Sequence, residues 1–237
     1  MKKLLIIAFL VGIGSGLFAQ KKFKQKNPNL PYFEQSKFHF GFLLAVNTSG
    51  FRMKYDLTTY DSLISLTTAN QTGFNIGFLG SMRFNDHFTL RFLPTLSFAQ
   101  RNLNYVFEGN PKNVTDTRII ESTYVLFPFL VKFRSKRYNN FATYLVAGGS
   151  FGLDLSSQFD VNNEVAISKQ VLKISRQNYF AEFGIGTDLF LEYFKFALEF
   201  KYSHGLNDAF INDGSFWAKP IQEIKPGMFT VSLLFEG

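Results

Sequence analysis

Cysteine is absent from this chain, which removes disulfides and thiolate-bound metal from consideration. Tryptophan occurs once, and the three histidines (His39, His87 and His204) give imidazole chemistry few places to reside. Beyond the N-terminal leader, no run reaches the ~18 apolar residues that a membrane helix requires. The formal charge of +7 falls to +5 without Lys2 and Lys3, and no nucleic-acid motif accompanies it, so no nucleic-acid partner is expected. What the chain has in surplus is phenylalanine, 31 in 237 residues, beside 18 glycines. Some surface must accommodate those rings.

The clearest pattern lies in residues 72–100. Phe74, Ile76, Phe78, Met82 and Phe84 alternate with Asn75, Gly77, Leu79, Ser81 and Arg83. After Asn85-Asp86-His87, Phe88, Leu90, Phe92, Leu96 and Phe98 interleave with Thr89, Arg91, Leu93, Thr95 and Ser97. Successive side chains of a strand leave on opposite faces, so each arm has one large apolar face and one small or polar face. Arms of about 13 residues exceed the ~5–6 of ordinary strands and can cross a bilayer at a tilt.

Ahead of this, residues 1–19 have the anatomy of a secretory signal: Lys2-Lys3, an apolar core over 4–13, and Ala19 before a cut at Ala19-Gln20. Leu17 stands where a small residue is usual, which leaves the exact site open. No cysteine follows for lipid attachment. Residues 20–37 read as a periplasmic tether, with Lys21, Lys22, Lys24 and Lys26 solvated and two prolines stiffening the path. A plain linker is the simpler reading. The sharper one makes Pro28, Pro31, Tyr32 and Phe33 a contact site for a partner.

Over 38–237 the pattern gives eight strands, at 38–47, 72–84, 88–107, 119–134, 141–155, 177–192, 193–204 and 226–236. Long connections (48–71, 108–118, 156–176, 205–225) alternate with short ones. That alternation, with an even strand count, characterises outer-membrane barrels with short periplasmic turns and longer external loops. The predicted fold is all-β, an eight-stranded antiparallel up-and-down transmembrane β-barrel in the outer membrane of a Gram-negative cell.

A soluble barrel would show the same strand count, and volume decides between them. Eight strands enclose a space just wide enough for side chains, and most of the Phe lie on one face. They cannot fit inside. The opposite face offers Gly41, Ala45, Gly77, Ser81, Thr95, Ser97, Gly184, Gly186 and Ser203, which can. The Phe face is therefore expected to meet lipid, the first partner. Tyr32, Tyr105, Tyr138, Tyr193, Tyr202 and Trp217 fall near strand ends, where interfacial aromatics belong. Pro94 and Pro128 sit inside strands and predict local bulges or bends.

His39, Arg83, Arg91, Lys132, Glu182, Asp188, Glu199 and Lys201 fall on the inward face. Both signs are present, so a structural charge network is expected there, with a proton or ligand path as the alternative. Catalytic signals are thin. Ser203 and His204 are strand neighbours on opposite faces and cannot form a nucleophile–base pair. Asn207, Asp208, Asn212 and Asp213 do not have calcium-loop spacing and read as a solvated loop. Neither a catalytic residue nor a cofactor or metal site is expected.

Two stretches carry a family resemblance. Asn29-Leu30-Pro31-Tyr32-Phe33-Glu34, followed by Lys37-Phe38-His39-Phe40-Gly41-Phe42, resembles the entry segment of the PorT family of outer-membrane barrels. Tyr202-Ser203-His204-Gly205-Leu206 is similar to that family's Tyr-x-x-Gly-Leu ending. The resemblance implies a non-enzymatic accessory or assembly role in type IX protein secretion and linked gliding, with other secretion-apparatus membrane proteins as partners. It implies no catalytic residues. A surface structural or adhesion barrel and an outer-membrane lipid-modifying enzyme are the competing readings.

Overall fold

A computed structural model describes residues 29–109, 112–157, 159, 161, 166 and 170–237. The leader and most of the tether, Pro28 included, lie outside the described residues. Nine strands follow in chain order: β1 (Phe38–Tyr55), β2 (Leu63–Arg83), β3 (Phe88–Phe92), β4 (Thr95–Phe107), β5 (Val114–Arg134), β6 (Phe141–Asp154), β7 (Gln177–Phe190), β8 (Lys195–Gly205) and β9 (Ile221–Glu236). All pairings are antiparallel. Consecutive strands pair except β3 with β4, each of which pairs instead with the flanking β2 and β5, and β1 pairs with β9 to close the ring. Strands β3 and β4 lie end to end between β2 and β5, so the ring has eight strand positions.

The interruption is at Leu93-Pro94, and it is not a bulge. Gly80 opposes Phe92 and Gly77 opposes Thr95, three residues apart on both strands, so the register runs straight through. Pro94 and Pro128 each lack a ladder donor, and the chain compensates locally. Leu93 N donates to Pro128 O at 3.1 Å. Pro128 cannot return the bond, and the Leu93 carbonyl instead accepts from Thr95 Oγ1 at 2.7 Å. The expected bulges at these prolines therefore do not form.

The two faces separate as strand periodicity requires. Outward-facing Phe40 and Phe78 are 71% and 73% exposed, whereas inward-facing Leu43 and Leu79 are 5% and 1%. The exposed wall continues through Phe38, Phe42, Phe74, Phe129, Phe133, Phe183, Phe200 and Phe229. In water it would be an adhesive patch far beyond what soluble monomers carry; in hydrocarbon it costs nothing. Rings stack across strands on this wall, as Phe74 on Phe98 and Phe92 on Phe129, each with centroids 4.6 Å apart.

The connections differ from expectation. Residues 48–71 are mostly strand: β1 continues beside β9 to Tyr55, and β2 begins beside β4 at Leu63. The β1–β2 ladder itself stops at Ser49↔Gln71, so these two strands part above that level. Two of the remaining long connections turn inward. Ile174 bridges to Phe210, and Ser175 N donates to Ala209 O at 2.7 Å, tying residues 170–176 to 206–220.

Candidate functional site

The barrel interior divides into two halves with different chemistry. Nearer the short turns it is ionic. Arg91 donates to Glu199 at 3.0 Å and lies 3.8 Å from Glu236; Lys195 pairs with Glu236 at 2.7 Å. Lys132 meets Asp188 at 2.6 Å, and Lys201 meets Glu182 at 2.6 Å. The four cations and four carboxylates of this cluster cancel in charge, as burial demands. Neutral donors join it: Tyr144 Oη donates to Glu199 at 2.9 Å and Ser81 Oγ to Glu236 at 2.6 Å. Gly186 seats Tyr144, because a Cβ there would collide with the tyrosine ring. The Lys132 ammonium sits 3.7 Å from the centre of that ring.

The mouth below this network is closed by the chain's own N-terminal segment. The short 3-10 turn Phe33–Gln35 folds against the ends of the strands. Phe33 stacks on His39 with centroids 3.9 Å apart, and His39 Nε2 donates to Phe33 O at 2.7 Å. The Lys195 ammonium lies 4.6 Å from the Phe33 ring, on the lumen side. Glu34 pairs with Arg134 at 2.7 Å, and its carbonyl accepts from Arg83. Asn29 is fixed to Asn140 and to Phe190 O at 2.9 and 3.0 Å.

The other half of the interior is apolar. Leu66, Leu103, Tyr105, Ile221 and Ile224 pack from the wall against Leu172 and Ile174 of one inturned segment and Ala209, Trp217 and Ala218 of the other. Tyr105 Oη donates to Trp217 O at 2.7 Å, and the Arg118 guanidinium covers the indole at 3.9 Å. Arg101 is the buried cation between the halves. It donates to Ser122 Oγ at 3.0 Å and is sandwiched by the rings of Phe51 and Tyr124.

Of the eight inward charges read from sequence, Arg91, Lys132, Glu182, Asp188, Glu199 and Lys201 meet in the ionic half. His39 is buried at the mouth beneath Phe33. Arg83 turns out of the lumen to Asp86, Asn85 O and Glu34 O. Lys195 and Arg101 were missed, although parity along their own strands with Glu199 and Ser97 places them inward. Tyr144 and Glu236 were missed because only their pairing opposite Gly186 and Gly41 shows their direction. Of the tether residues, Pro31 and Tyr32 are exposed, whereas Phe33 is spent on the barrel's own mouth and is not left for a partner. Tyr105 and Trp217 are corrected as well: at 1% and 4% exposure they belong to the interior core and not to an interfacial girdle.

Ser203 is buried in the lumen while His204 lies outside on Arg52, at 3.1 Å, so the two do not face one another. The oxygen-rich last loop caps backbone: Asp208 Oδ1 accepts from Phe210 N and Ile224 N, both at 2.9 Å. Among the described residues no cluster of His, Asp or Glu could hold a metal ion.

Residues 18–210 match the family described as outer membrane protein beta-barrel domain. The chain belongs to this family. In barrels of this kind short turns face the periplasm and longer loops the exterior, a rule that would set Phe33–Gln35 on the periplasmic side and the apolar plug on the outer side. The solved outer membrane protein OprG of Pseudomonas aeruginosa is similar in fold, with a TM-score of 0.50 and 17% identity over 84% of this chain and 95% of that one. Ail of Yersinia pestis aligns over 85% of this chain and 100% of its own at 14% identity and a TM-score of 0.39. The N-terminal barrel of P. aeruginosa OprF aligns over 82% and 97% at 13% identity and a TM-score of 0.35. No curated protein matches the sequence.

Proposed function

We propose that this outer-membrane barrel works by contact and not by conduction or catalysis. The observation that carries the reading is that segments of the chain itself occupy both mouths, with Phe33 on the periplasmic side and the Trp217 core on the outer side. Beside that core a recess of about 360 Å³ remains, lined by Ile120, Asp154 and Leu172. Between the two mouths, the hollows beside the charge network measure about 20 Å³ each, room for a single water and no solute. An eight-stranded ring is also too narrow to pass a folded protein even if emptied. Its functional surfaces are therefore outside: the lipid-facing wall, the periplasmic turns with exposed Pro31 and Tyr32, and the external hairpins.

The finer reading is an accessory or assembly role in type IX secretion. It rests on the resemblance of the entry segment to the PorT family, and that segment is the one that seals the periplasmic mouth. Deleting the gene and fractionating the cells tests it. Type IX cargo should accumulate in the periplasm while other outer-membrane proteins assemble normally; unimpaired secretion would end this reading. A surface-adhesion role is the second reading, favoured by the strands that rise beyond the apolar wall, β1 beside β9 and β2 beside the β4–β5 hairpin. Replacing residues 56–62 should then abolish attachment of cells without lowering barrel levels. In planar bilayers the purified protein should show no large, stable conductance under either reading.

A further inference from the structure

The outer wall carries a charge arrangement that neither mouth accounts for. On β1 the outward residues from Phe38 to Val46 are apolar, and Thr48 follows. That stretch spans ~33 Å along the strand and ~25 Å in height at a tilt of ~40°, the height of the apolar band in such barrels. Arg52, four residues on, therefore sits ~10 Å above the hydrocarbon, in the headgroup layer of the outer leaflet. Its direct cross-strand partner is Lys225, and the next outward pair is Lys54 with Glu223. Like charges set directly opposite on one face are unfavourable without a counter-ion. Glu223 is shared between Lys54 at 2.5 Å and Lys225 at 2.6 Å. Arg52 instead contacts His204 and donates to Gly205 O at 3.2 Å, neither of which carries a negative charge in neutral solution. The three cations thus outnumber the one carboxylate they surround.

Directly beneath them the wall is hollow. Gly50 and Gly227 oppose one another on the outward face, at the level where β1 and β2 part. The Asn70 amide takes the space a Cβ on Gly50 would need and the Tyr202 hydroxyl lies over Gly227, and beside them a recess of about 240 Å³ is lined by Asn70, Tyr202 and Phe229, with Arg52 on its rim. A guanidinium above a recess with aromatic walls offers a phosphate its fork of donors and an attached saccharide or acyl stem a place to lie. We infer that Arg52, Lys225 and the Gly50–Gly227 recess form a binding site for a phosphorylated glycolipid of the outer leaflet. A soluble phosphate could use the two cations but has no saccharide or acyl stem to fill the recess.

The test uses the full barrel in detergent, with native mass spectrometry and bisphosphorylated lipid A as the probe. Wild type should retain the lipid, and Arg52→Gln with Lys225→Gln should weaken its retention about tenfold or more. A bulky side chain in the recess, Gly227→Leu, should weaken it with both cations intact. Neutralising Lys112 on a distant external loop should change nothing. Far-UV circular dichroism verifies that each variant is folded. Retention of lipid A by the double variant at the wild-type level overturns the proposal. So does equal retention of the phosphate-free lipid, or its displacement by equimolar inorganic phosphate, which would mark a soluble-anion site.

Discussion

The two halves of the barrel interior solve the same problem by opposite means. The periplasmic half is filled by side chains of the wall itself, a charged network with Leu79, Leu93, Leu130 and Leu234 packed around it. Arg91, Lys132, Lys195 and Lys201 cross the lumen to Glu182, Asp188, Glu199 and Glu236. The outer half is filled by Leu172, Ile174, Ala209 and Trp217 from connections that return into it, and these are apolar. The difference follows from supply. The periplasmic turns are too short to contribute a core, so the wall must fill the space, and long charged side chains reach across it. The outer connections are long enough to deliver apolar groups. A neutral network can hold a narrow lumen shut, but each of its members depends on another, whereas apolar packing degrades residue by residue.

That contrast predicts the largest effect in the ionic half. Asp188→Ala leaves Lys132 buried without its partner and should cost about 3–5 kcal/mol, read from urea unfolding of the refolded barrel. The sharper variant is Lys132→Met with Asp188→Leu, which should recover most of the loss because the charge and its counter-charge leave together. A double variant as unstable as the single one would show that volume, not charge, holds this half.

Leu103→Ala in the outer half should cost about 2–5 kcal/mol by leaving a cavity in the plug. The single tryptophan makes the comparison direct, since Trp217 lies only in this half. Its emission should shift to the red in Leu103→Ala under native conditions and remain unshifted in Asp188→Ala. A red shift in both variants would mean that the halves do not stand independently.

Phe33→Ala removes the stacked ring over His39 and should cost only about 0.5–1.5 kcal/mol. Its main consequence is local. Amide exchange at Phe33 and Gln35, which donate to Leu30 O and Tyr32 O, should accelerate while the strands remain protected.

The smallest effect is expected outside the barrel. The Glu223 carboxyl is held down to about 2 by hydrogen bonds from Lys225 and Lys54. A depressed carboxyl stabilises the fold above its ordinary range and loses that contribution as pH falls through about 2. The group is solvated, so thermal stability should scarcely change between pH 7 and 4. Carboxyl NMR should nevertheless find the low midpoint, and Lys54→Gln with Lys225→Gln should return it to the ordinary range.

The sequence by itself determined the wall. Alternation with period two is local, so Phe74, Phe78 and Phe92 could be assigned outward and Asn75, Leu79 and Arg91 inward before any partner strand was known. Counting volume then fixed which face met lipid, and parity brought six of the inward charges to one network. What closes the barrel was decided by tertiary structure. Phe33 and Trp217 look alike in sequence, aromatic residues in polar connections, and both were assigned to surfaces. They are interior because a chain end and an outer loop fold back on strands distant in sequence. Pro94 and Pro128 likewise looked like separate defects. Only the register places Leu93 opposite Pro128, so that Thr95 can satisfy the carbonyl the proline leaves unpaired. Periodicity records which way a side chain leaves its own strand, and it carries no record of which distant segment will arrive to cover it.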